Sequence, residues 1–187
     1  MAFTTMTTIT QFYLEDRIGF QSNESIITAT MGAFIAMAVT TVIMQGGVLQ
    51  RVNLKPSVLM RLYCPTYAFS SITFLIAGYM PYTWLGFALV LISYALFGMA
   101  FSFAAPGING GASLSVKPTE QGMVGGYLAS ASVMGMVVGP LLGPYLYTEI
   151  SPAAPMIVSA IILGLLGVYS MTIKVPDPTE QISDAPA

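Results

Sequence analysis

Residues 126–147, GYLASASVMGMVVGPLLGPYLY, carry no charge and are long enough to cross a bilayer, yet they contain four glycines and two prolines. Those are the residues that most weaken an isolated helix in water. In lipid the same composition is tolerated where neighbouring helices restore the backbone contacts, so the reading of this stretch depends on the solvent around it. Composition decides the solvent. Of 187 residues only 7% are charged and 55% are hydrophobic, with a mean hydropathy of +0.76, against roughly 25% charged in soluble domains. Charge is absent from 25–50, 62–116, 121–148 and 150–173, and about 20 apolar residues suffice for a helix to cross the hydrocarbon. The expected fold class is therefore all-α, a polytopic membrane helix bundle.

The same composition excludes several kinds of function. The net charge is −2 and no basic run could follow a phosphate backbone, so nucleic-acid binding has no electrostatic basis. With no histidine and a single cysteine, Cys64, neither a metal site nor an internal disulfide is expected, and no cofactor is called for. No acid and base are placed together and no nucleophile stands near a base, so an enzyme is not expected. The N-terminus also lacks the basic segment that opens a signal peptide.

Residues 26–46, 58–78, 84–110, 121–147 and 152–173 each read as a full membrane span, five in all. The third and fourth run to about 27 residues, or roughly 40 Å, so they should tilt or protrude. Residues 2–14, AFTTMTTITQFYL, would form a helix of only about 20 Å, and read either as the outer part of a span or as an interfacial leader. The expected organisation is a partial helix over 1–14, a five-helix bundle over 15–173 and a tail over 174–187. Arg51, Lys55, Arg61, Lys117 and Lys174 fall on one side of this arrangement and Arg17 alone on the other. By the positive-inside rule the first side, with the tail, is cytoplasmic.

Within the opening stretch Gly126, Gly135, Gly139, Pro140 and Gly143 are set at fixed intervals. Gly135 and Gly139 form a small-xxx-small pair, which lets a neighbouring helix approach closely. Pro140 and Pro144 remove backbone donors and favour a bend. This spacing resembles the antiporter motif of the major facilitator superfamily, with Pro144 in place of that motif's last glycine. Residues 46–55, GGVLQRVNLK, resemble a degenerate form of the family's cytoplasmic loop signature, retaining Gly46, Arg51 and Lys55 but with Gln50 in place of its aspartate. Residues 106–143 resemble the tenth and eleventh helices of drug:proton antiporters, including tetracycline-efflux carriers.

The resemblance implies half of a major facilitator fold. The uncharged helix 84–110 and Gln50 depart from the amino-terminal half of such carriers, and the chain ends soon after its last span. These features point to the carboxy-terminal half, with residues 2–14 as part of the seventh helix. The function implied is proton-coupled efflux of small hydrophobic or amphipathic compounds, in a bacterial inner membrane, together with an amino-terminal half that is missing or supplied in trans. By the same analogy the seventh, eighth, tenth and eleventh helices line the substrate cavity, with 58–78 and 152–173 as lipid-facing supports. The lining candidates are Gln11, Phe12, Phe34, Tyr94, Phe97, Phe101 and Met134, whose rings and thioether would suit varied apolar substrates. Glu15, Asp16 and Glu149 are expected to be solvated at the outer ends. The competing reading is a non-transporting membrane protein that docks through its glycine face.

Overall fold

The computed structural model describes residues 2–52, 54–80 and 84–172, and every regular element among them is helical. Helix α1 (Ala2–Tyr13) runs into a single turn of π-helix, Leu14–Ile18, and stops at Gly19. Gly19 has φ 85°, the left-handed conformation that glycine adopts without penalty, and its N–H caps the carbonyl of Leu14. Helix α2 (Asn23–Ile43) begins at Ser22, whose hydroxyl accepts the N–H of Ser25 at 3.1 Å, and ends in a second π turn, Met44–Val48. Proline at the first position opens α3 (Pro56–Ala77), where its missing N–H costs nothing. Helix α4 (Trp84–Leu114) absorbs Pro106, and a short 3₁₀ turn, Pro118–Glu120, leads into α5 (Gln121–Tyr145). A third π turn, Leu146–Ile150, closes α5, and α6 (Ala154–Thr172) is the last helix described. The expected tail, 174–187, lies outside the described residues.

A threonine-rich chain survives in lipid because its hydroxyls are spent locally. Those of Thr8, Thr10, Thr30, Thr40, Thr41, Thr66 and Thr73 each donate to the carbonyl four residues back in the same helix. None of these seven donors is then left to the hydrocarbon.

Among the described residues four helical segments are long and apolar enough, by length and composition, to cross a membrane, 23–48, 84–114, 118–150 and 154–172. The fifth expected span, 58–78, coincides with α3. Helix α3 has 22 residues, enough to span, but Arg61 and its hydroxyl-bearing residues lower its apolarity. Those residues are explained by what α3 touches. It packs along α4 and against α6, with Tyr67, Ser70, Ser71 and Phe74 all buried, and the Ser70 hydroxyl donates to the Ser93 carbonyl on α4 at 2.8 Å. One side of α3 is thus interior, while Phe69, Ile72 and Ile76 of the same helix are exposed. The 84–114 segment is 31 residues long, about 46 Å at helical rise, so it exceeds the roughly 30 Å of hydrocarbon more than the sequence suggested.

The remaining packing places α2 on α4 and α1 on α5. At the centre Tyr13, Tyr67, Phe74, Tyr94 and Phe97 form one aromatic cluster. Tyr13 stacks on Phe74 with centroids 4.3 Å apart, and Tyr67 meets Phe97 edge to face at 5.2 Å. The Tyr13 hydroxyl donates to the carbonyls of Phe74 (2.9 Å) and Leu75 (3.1 Å) at the end of α3. Directly behind it stands Gly78, where any Cβ would collide with the Tyr13 hydroxyl and ring. Gly78→Ala is accordingly expected to expel the Tyr13 side chain and cost about 1–3 kcal/mol, the penalty for losing a buried hydroxyl's bonds. A fall in the thermal midpoint of the detergent-solubilised protein, smaller when the change is made in a Tyr13→Phe background because the hydroxyl clash is gone and only the ring clash remains, checks this.

Candidate functional site

The glycine motif of α5 divides into two parts. At its far end a Cβ on Gly126 would meet nothing within 4 Å, and the same holds for Gly122 and Gly125. At its near end the motif lies on α1. The Thr4 hydroxyl donates to the Gly135 carbonyl at 3.0 Å, and the Thr5 hydroxyl to the Gly139 carbonyl at 3.3 Å. A Cβ on Gly143 would lie 3.2 Å from the Thr5 methyl and 3.4 Å from Ile9. Pro140, between these glycines, is exposed. The absence of side chains at 135, 139 and 143 is what lets threonines of α1 reach backbone oxygens on α5, a contact that a bulky residue would hold open.

Beyond that seam α5 has little cover. Only 6% of its apolar window is buried, and 22% of that of α2, against 44% for α4. Helices α2 and α5 therefore carry the free faces of the bundle, with Met31, Ile35 and Val39 exposed on one and Met134, Val137 and Leu141 on the other.

The residues expected to line a substrate cavity are dispersed among these environments. Tyr94 and Phe97 are 0% and 2% exposed, enclosed in the aromatic cluster, and they offer a substrate no surface. Phe34 is half-buried and meets Tyr94 edge to face at 5.7 Å. Gln11, Phe12, Phe101 and Met134 are exposed, so they remain on accessible faces of α1, α4 and α5. Phe12 also lies against Tyr147, their ring centroids 6.1 Å apart.

That pairing belongs to a contact the sequence did not suggest. Tyr147, in the π turn after α5, donates to the Asp16 carboxylate at 3.1 Å, with the Phe12 carbonyl at 3.5 Å. Asp16 lies in the π turn after α1. The widened last turns of the two helices thus meet and are tied together at one end of the α1–α5 seam, and Asp16 is not merely solvated as expected. At the opposite end of the bundle Gly46, in the π turn after α2, and Arg51 and Lys55, in the link to α3, are exposed. Among the described residues no three His, Cys, Asp or Glu side chains converge on one point.

No curated protein and no solved structure matches the chain significantly. The sequence model of the Major Facilitator Superfamily matches residues 1–187. That match takes in the glycine seam of α5, the link between α2 and α3 and the all-helical, charge-free spans together, and the chain belongs to the major facilitator superfamily.

Proposed function

We propose that this chain, a membrane transporter of the superfamily, acts as the carboxy-terminal half of a drug:proton antiporter that exports small hydrophobic or amphipathic compounds. The observation that supports the half-carrier part of this reading is the pairing of helices, and the choice of half and of driving reaction rests on the resemblance of 106–143 to drug:proton antiporters. Overlaying α1–α3 on α4–α6 exchanges the α1–α5 contact with the α2–α4 contact and keeps α3–α6 as itself, and all three contacts are present. Such pairing is what inverted three-helix repeats within one half of a carrier produce. The substrate of such a carrier lies between two halves, so the free faces of α2 and α5 are the surfaces through which this half would meet the other. The resemblance of 126–143 to the antiporter motif supports proton exchange as the driving reaction.

Antiparallel order puts Arg51, Lys55 and Lys117 at one end of the bundle and Arg17 and Glu149 at the other. The former end faces the cytoplasm of a bacterial inner membrane in this reading. Gln11, Phe12, Phe101 and Met134 then contribute to the cavity wall from accessible positions. The test is proton release from everted vesicles that contain the chain with and without a co-expressed amino-terminal half. Added tetracycline or ethidium should release protons only from the paired vesicles. Silence from both, with the chain shown to be inserted, would defeat the export reading and favour a membrane protein that only docks.

A further inference from the structure

The end of the bundle where α2 and α4 begin holds a pocket of about 400 Å³, separate from the α1–α5 seam. It is walled by Phe20, Trp84 and Phe87, with Glu24 and Thr28 among the remaining lining residues. This volume is within the range of roughly 300–1,000 Å³ usual for small-ligand sites. Phe20 and Phe87 meet edge to face, with centroids 5.8 Å apart and ring planes at 76°, so each holds the other in place. The Trp84 ring is 89% exposed. Glu24, in the first turn of α2, is exposed as well, and no Lys or Arg shares the lining.

Three aromatic side chains and one carboxylate bias the charge of an occupant. Glu24 contributes a full negative charge, and the face of any ring turned to the pocket a negative quadrupole, so an anion is disfavoured. A hard metal ion would want several oxygen ligands, and one carboxylate among rings does not provide them. What fits is a cation clothed in carbon, an alkylammonium group. The position of the pocket names its source. Glu24 is the last charge before the uncharged run 25–50, and Trp84 is the first residue of α4, so the pocket lies at the level of lipid headgroups. Alongside it Ile27 and Met31 of α2 are 53% and 57% exposed, an apolar surface on which acyl chains can lie.

We propose that this pocket binds the ammonium headgroup of a zwitterionic membrane lipid. The proposal does not depend on what the carrier transports or in which direction. Trp84 is the only tryptophan in the chain, so its fluorescence reads the pocket directly. The experiment titrates the detergent-purified protein with dihexanoyl-phosphatidylcholine below its micelle concentration. A second titration uses dihexanoyl-phosphatidylglycerol, which has the same chains without the ammonium. The choline lipid should shift Trp84 emission saturably, with the glycerol lipid about fivefold weaker or more. Tetramethylammonium should compete. Glu24→Gln should lose most of the preference, and Phe87→Leu should weaken the choline lipid alone, since it removes the ring and keeps the apolar bulk. Circular dichroism of both variants should match the parent. Equal titration by the two lipids, or a preference that survives both substitutions, overturns the proposal. A response to tetramethylammonium with none to the choline lipid would assign the pocket to a soluble cation and overturn the lipid assignment.

Discussion

Gly98→Leu is expected to abolish recovery of the folded protein, while Gly126→Leu, in the glycine motif of α5, leaves its stability equal or slightly raised. At Gly98 a Cβ would run into the carbonyl oxygen of Met37, with the Met37 carbonyl carbon and Cα both 3.1 Å away. These are backbone atoms of α2, which no rotamer change moves aside. The Thr41 hydroxyl binds the two helices at the same height, donating to the Met37 carbonyl at 2.8 Å and approaching the Gly98 carbonyl at 3.3 Å. A leucine here must drive α2 off α4 and break that link, at a cost of about 3 kcal/mol or more, the upper end for overpacking. At Gly126 nothing lies within 4 Å, and replacing a helical glycine gains roughly 0.5–1 kcal/mol of propensity. The monodisperse fraction on size exclusion and the thermal midpoint in detergent measure both. A Gly98→Leu protein indistinguishable from its parent would mean that α2 and α4 can part at this point without loss of the fold. If the free face of α5 meets an amino-terminal half, Gly126→Leu should still impair transport by the paired carrier, since its harm would appear only on assembly.

The contrast between those two glycines shows how far the sequence was legible. The spans were readable because hydrocarbon leaves no alternative to an uncharged helix, and the expected 152–173 and 26–46 runs fall close to the observed α6 and α2 with its π turn. The neighbour of each helix face was not readable, since spacing fixes which residues share a face and says nothing of what lies opposite. The motif of α5 was therefore recognised as a pattern, although its Gly126 faces open space and its Gly143 meets Thr5. Helix α4 carries a comparable small-residue signal. Gly98–Ser102 and Gly107–Gly111 repeat the small-xxx-small interval, and all four residues are buried. The Tyr147–Asp16 and Tyr13–Gly78 contacts join positions more than 60 residues apart, and only the tertiary arrangement brings them together. Two of the aromatic candidates, Tyr94 and Phe97, are enclosed for a related reason. Tyr94, Phe97 and Phe101 lie on one helical stripe, and what encloses the first two is the arrival of Phe74 and Tyr67 from α3.

Tyr94→Ala should destabilise the protein by about 3–5 kcal/mol, as truncating a large buried ring does, and Tyr94→Phe should separate a core residue from a substrate-binding one. The Tyr94 ring is fully enclosed, touching Phe34, Phe74 and Phe97. Its hydroxyl is hydrogen-bonded to that of Thr10 on α1. Thr10 already donates to the Met6 carbonyl at 2.8 Å, so the proton in the shared bond comes from Tyr94 and the threonine oxygen accepts it. Removing the tyrosine hydroxyl leaves that oxygen with one partner fewer in an apolar interior, a loss of about 1 kcal/mol. The thermal midpoint of Tyr94→Phe should therefore fall modestly and that of Tyr94→Ala steeply. Substrate affinity per folded molecule of the Tyr94→Phe carrier should stay at the parent value, because no part of the side chain reaches a cavity. A wall residue would behave in the opposite way, with an unchanged midpoint and an altered KM for substrates able to hydrogen-bond. Observing that second pattern would mean that α1 and α4 part during transport and expose the cluster, and the Thr10–Tyr94 bond would then be a joint that opens with each cycle.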